Sequence, residues 1–360
     1  MPLPPKHIVF SVLNWGLGHA TRSIPIIKHL KRQGYRITCC SSMDALRLLQ
    51  DALPSLQFVE LPDYGVQYRW NNMAMNMAMQ APKMFRAIAE EQKVLESLHQ
   101  EDPIDLIISD QRYGCFLDEV PSVFITHQVS LKARKALTTT MANKLHHLWM
   151  SRFDEIWVPD APEEPGLAGK LSHESIDIPH FFLGPISRFD QALEERAAYT
   201  YDWLCLLSGP EPARSKLEEL CVRIAKSGSQ QLVIVRGKVE DHSDQQLTDN
   251  LRVIGHLQAS ALKELMAEAK ALICRSGYST LMDLAVLGKK AVLVPTPGQP
   301  EQLYLANLWK EQYHWPVIFQ SELEEIPPTA ILQSAQALPS GAETQMAQTI
   351  NQRLEKWFEV

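Results

Sequence analysis

The sequence predicts an α/β protein built from two Rossmann-like domains, and three observations carry that expectation. Short apolar runs alternate with helical stretches along the chain. The runs are nearly continuous in apolar character, as in 7–13 (HIVFSVL) and 231–235 (QLVIV), the pattern of parallel strands covered on both faces. The alternation breaks once, near 184–202, where GPISRFDQALEERAAYTYD is charged and poor in strand formers. At about 150 residues per domain, 360 residues also suggest two. The expected division is 1–190, 200–340 and a terminal segment 341–360, whose two-faced helix at 341–358 suits packing on either domain. Ligand is expected in a cleft between the domains.

The elements follow in order. The first strand, 7–13, leads into NWGLGHATRS and then a helix at 24–33, with Ile24, Ile27 and Leu30 at three-residue spacing. Ser23 is its expected cap, Pro25 falls in its first turn, and Gly34 ends it. Further strands are expected at 35–40 (YRITCC), 56–60 (LQFVE), 104–109 (IDLIIS), 122–126 (SVFIT) and 155–158 (EIWV). The second half repeats the plan, with strands at 203–207, 231–235, 251–254, 271–274 and 291–294. Helices near 213–227, 259–269, 279–287 and 301–312 alternate with them.

Composition narrows the function. A net charge of −7 argues against a nucleic-acid partner. No run of 18 apolar residues and no leader-like start occur, so a cytoplasmic protein is expected. Cys39, Cys40, Cys115, Cys205, Cys221 and Cys274 form no CxxC pair, so they read as buried free thiols and no metal site is expected.

NWGLGHATRS is open to three readings. Gly16 and Gly18 match part of a dinucleotide fingerprint, but Thr21 stands at the third glycine and no acid ends the second strand, where Cys39-Cys40-Ser41-Ser42 stand ahead of Asp44. The loop can equally be a tight turn with His19 in solvent. In the third reading, the adjacent helix N-terminus keeps His19 neutral and fit to act as a general base. Asp110, at the end of IDLIIS, would share the carboxyl edge of the sheet with it and fix its tautomer; a helix-capping role is as open.

A second cluster spans 274–307, CRSGYSTLMDLAVLGKKAVLVPTPGQPEQLYLAN. Ser276, Gly277, Ser279 and Thr280 stand at a helix N-terminus, where free N–H groups suit phosphate. Arg275 adds charge there or forms an ion pair. Asp283 shares a face with Ser279 and Thr280 and suits ribose hydroxyls. Glu301 and Gln302 open the next helix and match sugar hydroxyls, or simply favour the helix dipole.

RSGYSTLMDLAVLGKKAVLVP followed by GQPEQ resembles the donor half of the GT-B glycosyltransferases of family 28, the MurG-like enzymes, and WGLGHATR resembles their acceptor-half loop. The resemblance implies a GT-B fold, with parallel sheets of two Rossmann-like domains facing across a cleft. It implies inverting, metal-independent transfer of N-acetylglucosamine or another hexose from a UDP-sugar, which is a substrate and not a cofactor. By this resemblance His19 becomes the candidate base or an acceptor-site residue, and Gly16, Gly18, His127 and Gln128 lie on the acceptor side. Arg188, Ser208 and Gly209 become diphosphate neighbours, Leu257 a wall of the base pocket, Asp283 the ribose ligand, and Glu301 with Gln302 the sugar contacts. The sequence departs from the family at Gln128, where a glutamate is usual, at the prolyl loop SGPEPAR, and at Leu303, where a second glutamine is usual. A nucleotide-sugar hydrolase or epimerase, and a noncatalytic nucleotide-sugar-binding protein, remain as alternatives.

Two stretches bear on the acceptor, whose identity the sequence leaves open. Residues 130–153 hold Lys132, Arg134, Lys135, Lys144 and Arg152 and no acid. They fit peripheral contact with the inner face of a membrane carrying a lipid-linked acceptor, or one solvated helix face. MAMNMAM at 73–79 fits core filler or an adaptable binding wall.

Overall fold

The structure, a computed structural model, describes residues 5–65, 73–131, 136–189, 191–194, 196–323, 325–326, 328–334, 336 and 345–358. The chain divides into two compact units, Met1–Ile186 with Glu343–Val360, and Ser187–Ala342.

In the first unit the elements run β1 (His7–Val12), α1 (Gly18–Arg32), β2 (Arg36–Ser41), α2 (Met43–Ala52), β3 (Gln57–Glu60) and α3 (Met73–Glu101). They continue with β4 (Leu106–Asp110), β5 (Ser122–Ile125), α4 (Ala136–Met150), β6 (Glu155–Val158), α5 (Lys170–His173) and β7 (His180–Phe182). Seven parallel strands form one sheet, ordered β3-β2-β1-β4-β5-β6-β7. The order reverses between β1 and β4, the switch point at which α/β sheets open a crevice. There Val12 pairs with Asp110, so the loop after β1 starts beside the end of β4. Ile8, Val9 and Phe10 of β1 and Ile26, Ile27 and Leu30 of α1 are fully buried, each worth roughly 1.5–3 kcal/mol over exposure.

The second unit contains β8 (Tyr201–Leu206), α6 (Ala213–Ser227), β9 (Leu232–Val235), β10 (Asp244–Thr248), β11 (Leu251–Ile254), α7 (Ala259–Glu268) and β12 (Ala269–Cys274). It ends with α8 (Tyr278–Leu287), β13 (Ala291–Leu293), α9 (Pro300–Tyr313) and α10 (Pro328–Ser334). Its sheet runs β10-β11-β9-β8-β12-β13, parallel except for the edge strand β10. Register aligns Leu206 with Cys274 and Cys274 with Leu293, so the loops after β8, β12 and β13 leave the same edge together.

The last helix, α11 (Met346–Phe358), belongs to the first unit. His29 Nε2 lies 2.8 Å from Asn351 Oδ1, the rings of Tyr35 and Phe358 are 5.5 Å apart, and Arg353 Nε donates to the buried Glu155 at 3.1 Å.

Three local expectations are corrected. Helix α1 begins at Gly18, not at 24, because Leu17 is already helical (φ −78°, ψ −8°) and its carbonyl accepts from Thr21 N. Ser23 therefore lies inside the helix, where its hydroxyl serves Asp110, and caps nothing; Pro25 lies in the helix interior, not the first turn. Helices α2, α3, α5 and α10 and strands β7 and β10 are additions. Strand β10 (DQQLT) is a largely exposed antiparallel edge, so it needs no apolar run to form. Among the described residues, no helix is long and apolar enough to cross a membrane.

Candidate active site

The first-unit site is built where β1 and β4 meet. Gly16, at φ +74°, turns the chain out of β1 without the penalty a side chain would carry, and Gly18 starts α1. The first two turns of α1 then deliver His19, Arg22 and Ser23 to Asp110, which is fully buried at the end of β4. His19 Nδ1 lies 2.8 Å from Asp110 Oδ1. Arg22 Nε donates to Oδ2 at 2.7 Å, its Nη2 to Oδ1, and Ser23 Oγ to Oδ2 at 2.9 Å. Asp110 is thus a hub and not a helix cap. Arg22 also donates from Nη1 to His127 Nδ1 at 3.2 Å, and Gln128 Nε2 lies 3.4 Å from His127 Nε2.

Beside this hub the backbone is strained. Gln111, directly after Asp110, sits at φ +63°, a conformation that costs a non-glycine residue roughly 1–2 kcal/mol. Its amide donates to Thr126 Oγ1, which also accepts from Gln128 N at 2.9 Å, so the loops after β4 and β5 are tied together.

Electrostatics give the pair its character. Burial works against the charge on Asp110, but Arg22 and His19 outweigh it and hold the carboxyl well below the usual carboxylate range. Burial, and then Arg22, push His19 below its ordinary value, against the pull of Asp110. His19 is therefore neutral near pH 7, and its side chain is still 17% exposed.

A second buried network braces the same edge. Arg112 donates to the carbonyls of Val12 (2.7 Å) and Pro62 (2.9 Å), to Ser42 Oγ (2.7 Å) and to Glu91 (2.6 Å). The other Glu91 oxygen accepts from Tyr64 and from Gly114 N, both at 3.0 Å. Burial pushes the Glu91 carboxyl up, with Arg112 opposing. Gly114 is required here, because a Cβ would come within 2.2 Å of the Ile88 carbonyl.

In the second unit, Ser208 and Gly209 (φ +92°) follow β8, while Gly277 is the extended N-cap of α8. Ser279 and Thr280, half-buried, fill the first turn of that helix. Thr296, after β13, has a buried hydroxyl that makes no hydrogen bond, 3.6 Å from where a Cβ on Gly209 would lie. Together these groups offer backbone N–H donors and an open hydroxyl where an anion would be received. Leu257 is half-buried in the segment between β11 and α7, and Glu301 is half-buried in the first turn of α9.

Four expectations for this unit are corrected. Arg275 is fully buried and donates to the carbonyls of Val294, Pro295 and Ala213 and to Gln320 Oε1. Burial lowers its pKa to about 10, and both of its terminal nitrogens are taken up by the scaffold. Asp283 is likewise buried. Its carboxylate accepts from Ser187 Oγ (2.6 Å) and Arg188 Nε (3.1 Å), so it anchors the entry segment of the unit instead of standing ready for ribose. Ser276 Oγ donates to the Gln302 carbonyl at 2.7 Å, and Gln302 Oε1 accepts from Thr296 N at 2.9 Å. The first holds the loop after β12 against α9, and the second holds the TPGQP turn against it.

Of the residues singled out from sequence, the structure brings His19, Asp110, His127 and Gln128 into one cluster. Sequence reasoning missed Arg22, Ser23, Gln111 and Thr126 there. The available signal was that Arg22 stands three residues after His19 on one helix face. No group of three or more His, Cys, Asp or Glu placed to hold a metal is found among the described residues.

Residues 211–356 match the family model described as glycosyltransferase family 28 C-terminal domain. Residues 211–356 are thus similar to the C-terminal domain of family 28 glycosyltransferases. Over 42 residues it is 50% identical to the UDP-N-acetylglucosamine--N-acetylmuramyl-(pentapeptide) pyrophosphoryl-undecaprenol N-acetylglucosamine transferases of Methylobacterium sp. (strain 4-46) and Methylobacterium nodulans (strain LMG 21967 / CNCM I-2342 / ORS 2060). The matches cover 12% of this chain and 11% of each relative, so the chain spans about a tenth of the length of the curated relatives it matches. Among solved structures, the calicheamicin glycosyltransferase CalG4 aligns over 99% of both chains with a TM-score of 0.67 and 15% identity. Acinetobacter baumannii MurG aligns over 98% of this chain and 100% of its own, with a TM-score of 0.54 and 16% identity. These likenesses show the fold: the chain has the GT-B architecture of two α/β units with predominantly parallel sheets.

Proposed function

We propose that the protein is an inverting glycosyltransferase that moves a sugar from a UDP-sugar to an acceptor hydroxyl without a metal. The observation that carries this reading is the 2.8 Å contact of His19 Nδ1 with the fully buried Asp110, in surroundings that favour a neutral imidazole beside a carboxylate. The imidazole takes the proton of the acceptor hydroxyl, and that oxygen attacks the anomeric carbon. The bond from that carbon to the diphosphate oxygen breaks, and the nucleoside diphosphate leaves with the electron pair. In the second unit, the N–H groups at the start of α8, the Ser208–Gly209 loop, the Thr296 hydroxyl and Arg188 would receive the charge that develops on the diphosphate. Glu301 is the candidate contact for donor sugar hydroxyls.

The short, strong identity to transferases named for UDP-N-acetylglucosamine supports that donor. A lipid-linked acceptor at a membrane surface is supported by exposed apolar side chains on two helices joined through the Phe85–Trp149 ring contact (5.4 Å). These are Met79 and Phe85 on α3, and Met141, Leu145 and Leu148 on α4. Lys132, Arg134 and Lys135 lie outside the described residues, as do the side chains of 73–78 in the methionine-rich stretch.

The test is His19→Ala, assayed for UDP binding by calorimetry and for transfer to a lipid-linked sugar acceptor. UDP affinity should hold while transfer falls ~10²–10⁴-fold, the range for a lost general base. Turnover of the unaltered protein should survive EDTA. Loss of UDP binding in proportion to loss of turnover would make the loop a phosphate cradle and overturn the assignment. Stoichiometric UDP release without acceptor would show a hydrolase, and UDP-sugar binding with no turnover would show a noncatalytic protein.

A further inference from the structure

Arg22 is buried at 2% exposure and is the one cation in contact with every titratable member of the first-unit cluster among the described residues. The proposed chemistry does not use it. We infer that Arg22 is a positioning residue that clamps both oxygens of Asp110 and fixes the two imidazoles in opposite tautomers, Nδ1–H on His19 and Nε2–H on His127. The inference rests on the reading of His19 as the base.

Geometry supports each part. Nε and Nη2 meet Oδ2 and Oδ1, the two-pronged fit in which a guanidinium fixes the plane of a carboxylate. Asp110 Oδ1 is then held at one place, 2.8 Å from His19 Nδ1. Arg22 has only donors, so its 3.2 Å contact with His127 Nδ1 requires a lone pair there and puts the His127 proton on Nε2. At His19, Nδ1 lies between Oδ1 at 2.8 Å and Arg22 Nη2 at 2.9 Å. Oδ1 has lone pairs for both neighbours, whereas Nδ1 has a single in-plane position. A proton on Nδ1 satisfies the shorter contact to the charged acceptor, and Nη2 then gives its hydrogen to Oδ1, so its 2.9 Å approach to Nδ1 is proximity and not a hydrogen bond; a lone pair on Nδ1 would face a carboxylate oxygen. The Nε2 lone pair of His19 is thereby left for a substrate hydroxyl.

Charge follows the same geometry. The groups facing His19 are Arg22 from α1, Asp110 from β4 and His127 from the segment after β5. Asp110 alone favours the imidazolium, but Arg22 and His127 oppose it. Burial lowers His19 most and Arg22 next, so Arg22 opposes the pull of Asp110 toward the imidazolium and the base stays ready to accept a proton.

The experiment uses the full chain labelled with ¹⁵N-histidine, with long-range ¹H–¹⁵N correlations read across pH, alongside kcat and donor KM. In the unaltered protein His19 should read as Nδ1–H and His127 as Nε2–H, a result that needs no variant to fold. Arg22→Gln should raise the His19 midpoint and move the acid limb of kcat to higher pH with it. Arg22→Lys keeps the charge but not the fork. It should leave the His19 midpoint near that of the unaltered protein and lower kcat roughly ten- to hundredfold at unchanged donor KM. His19 reading as Nε2–H in the unaltered protein, or an unmoved midpoint in folded Arg22→Gln, overturns the inference. Expected tautomers in a protein whose turnover ignores His19→Ala would support the clamp and overturn the base.

Discussion

Replacing Arg112 with Met tests how the site edge is held. The substitution removes a guanidinium that serves two carbonyls, Ser42 and Glu91, and leaves a carboxylate with no exposure facing an apolar chain. Breaking one partner of a buried ion pair costs about 3–5 kcal/mol. Glu91 keeps Tyr64 and Gly114 N as donors, which places the expected loss near the lower end, ~3 kcal/mol. The loss should also depend on pH. Burial already raises Glu91, and without Arg112 the folded carboxyl would rise further above its unfolded value. Above about pH 4.5 the unfolded chain gives up that proton first, so the variant should lose stability as pH rises toward the folded value. The double variant Arg112→Met, Glu91→Gln removes the charge and keeps an acceptor for Tyr64, and should recover about 2 kcal/mol at pH ~8. Native-state hydrogen exchange of the β1 and β4 amides, at about pH 5 and about pH 8, reads the first unit separately from the second. A cost under ~1 kcal/mol, or equal costs at the two pH values, would refute the reasoning.

Two further outcomes are expected. His146 is buried, between Tyr113 and the Gln128 carbonyl, and burial, with His147 adding to it, pushes it down to about 4. The unfolded chain therefore takes up this proton first. The first unit should keep full stability above pH ~6.5 and lose roughly 3 kcal/mol by pH ~4, and His146→Gln should abolish that part of the slope in an acid unfolding series. Glu301→Ala should weaken a UDP-sugar about ten- to hundredfold by calorimetry and leave UDP unchanged; equal losses for both ligands would remove it from the sugar site.

The strands were legible because parallel strands covered on both faces must be apolar throughout, and β1, β4, β9 and β12 are fully or almost fully buried. The pairing of His19 with Asp110 was legible for a related reason: both leave the carboxyl edge of neighbouring strands. The start of α1 was misplaced because glycines read as loop, while Leu17 and Gly18 adopt helical backbone that tertiary contacts sustain. Asp283 looked like a ligand contact because spacing shows which helix face a side chain occupies but not whether that face is inward, and Arg275 because a charge just ahead of a helix N-terminus suits an anion whether or not it is buried. Their partners are carbonyls and a serine–arginine pair far off in sequence, and no local pattern records them. Arg22 escaped notice for the opposite reason, since an arginine in the first turns of a helix is ordinarily solvated.

The return of α11 to the first unit has a consequence for synthesis. Glu155 emerges from the ribosome early, but its partner Arg353 lies 198 residues downstream, after the whole of the second unit. At about 5–20 residues per second, the nascent first unit waits ~10–40 s with a core carboxylate and the His29 face of α1 uncovered. The second unit is continuous in sequence and can close first. Vectorial synthesis thus favours an order in which the later-made unit is finished before the earlier one, and a ribosome stalled before α11 would display a folded second unit beside an incomplete first.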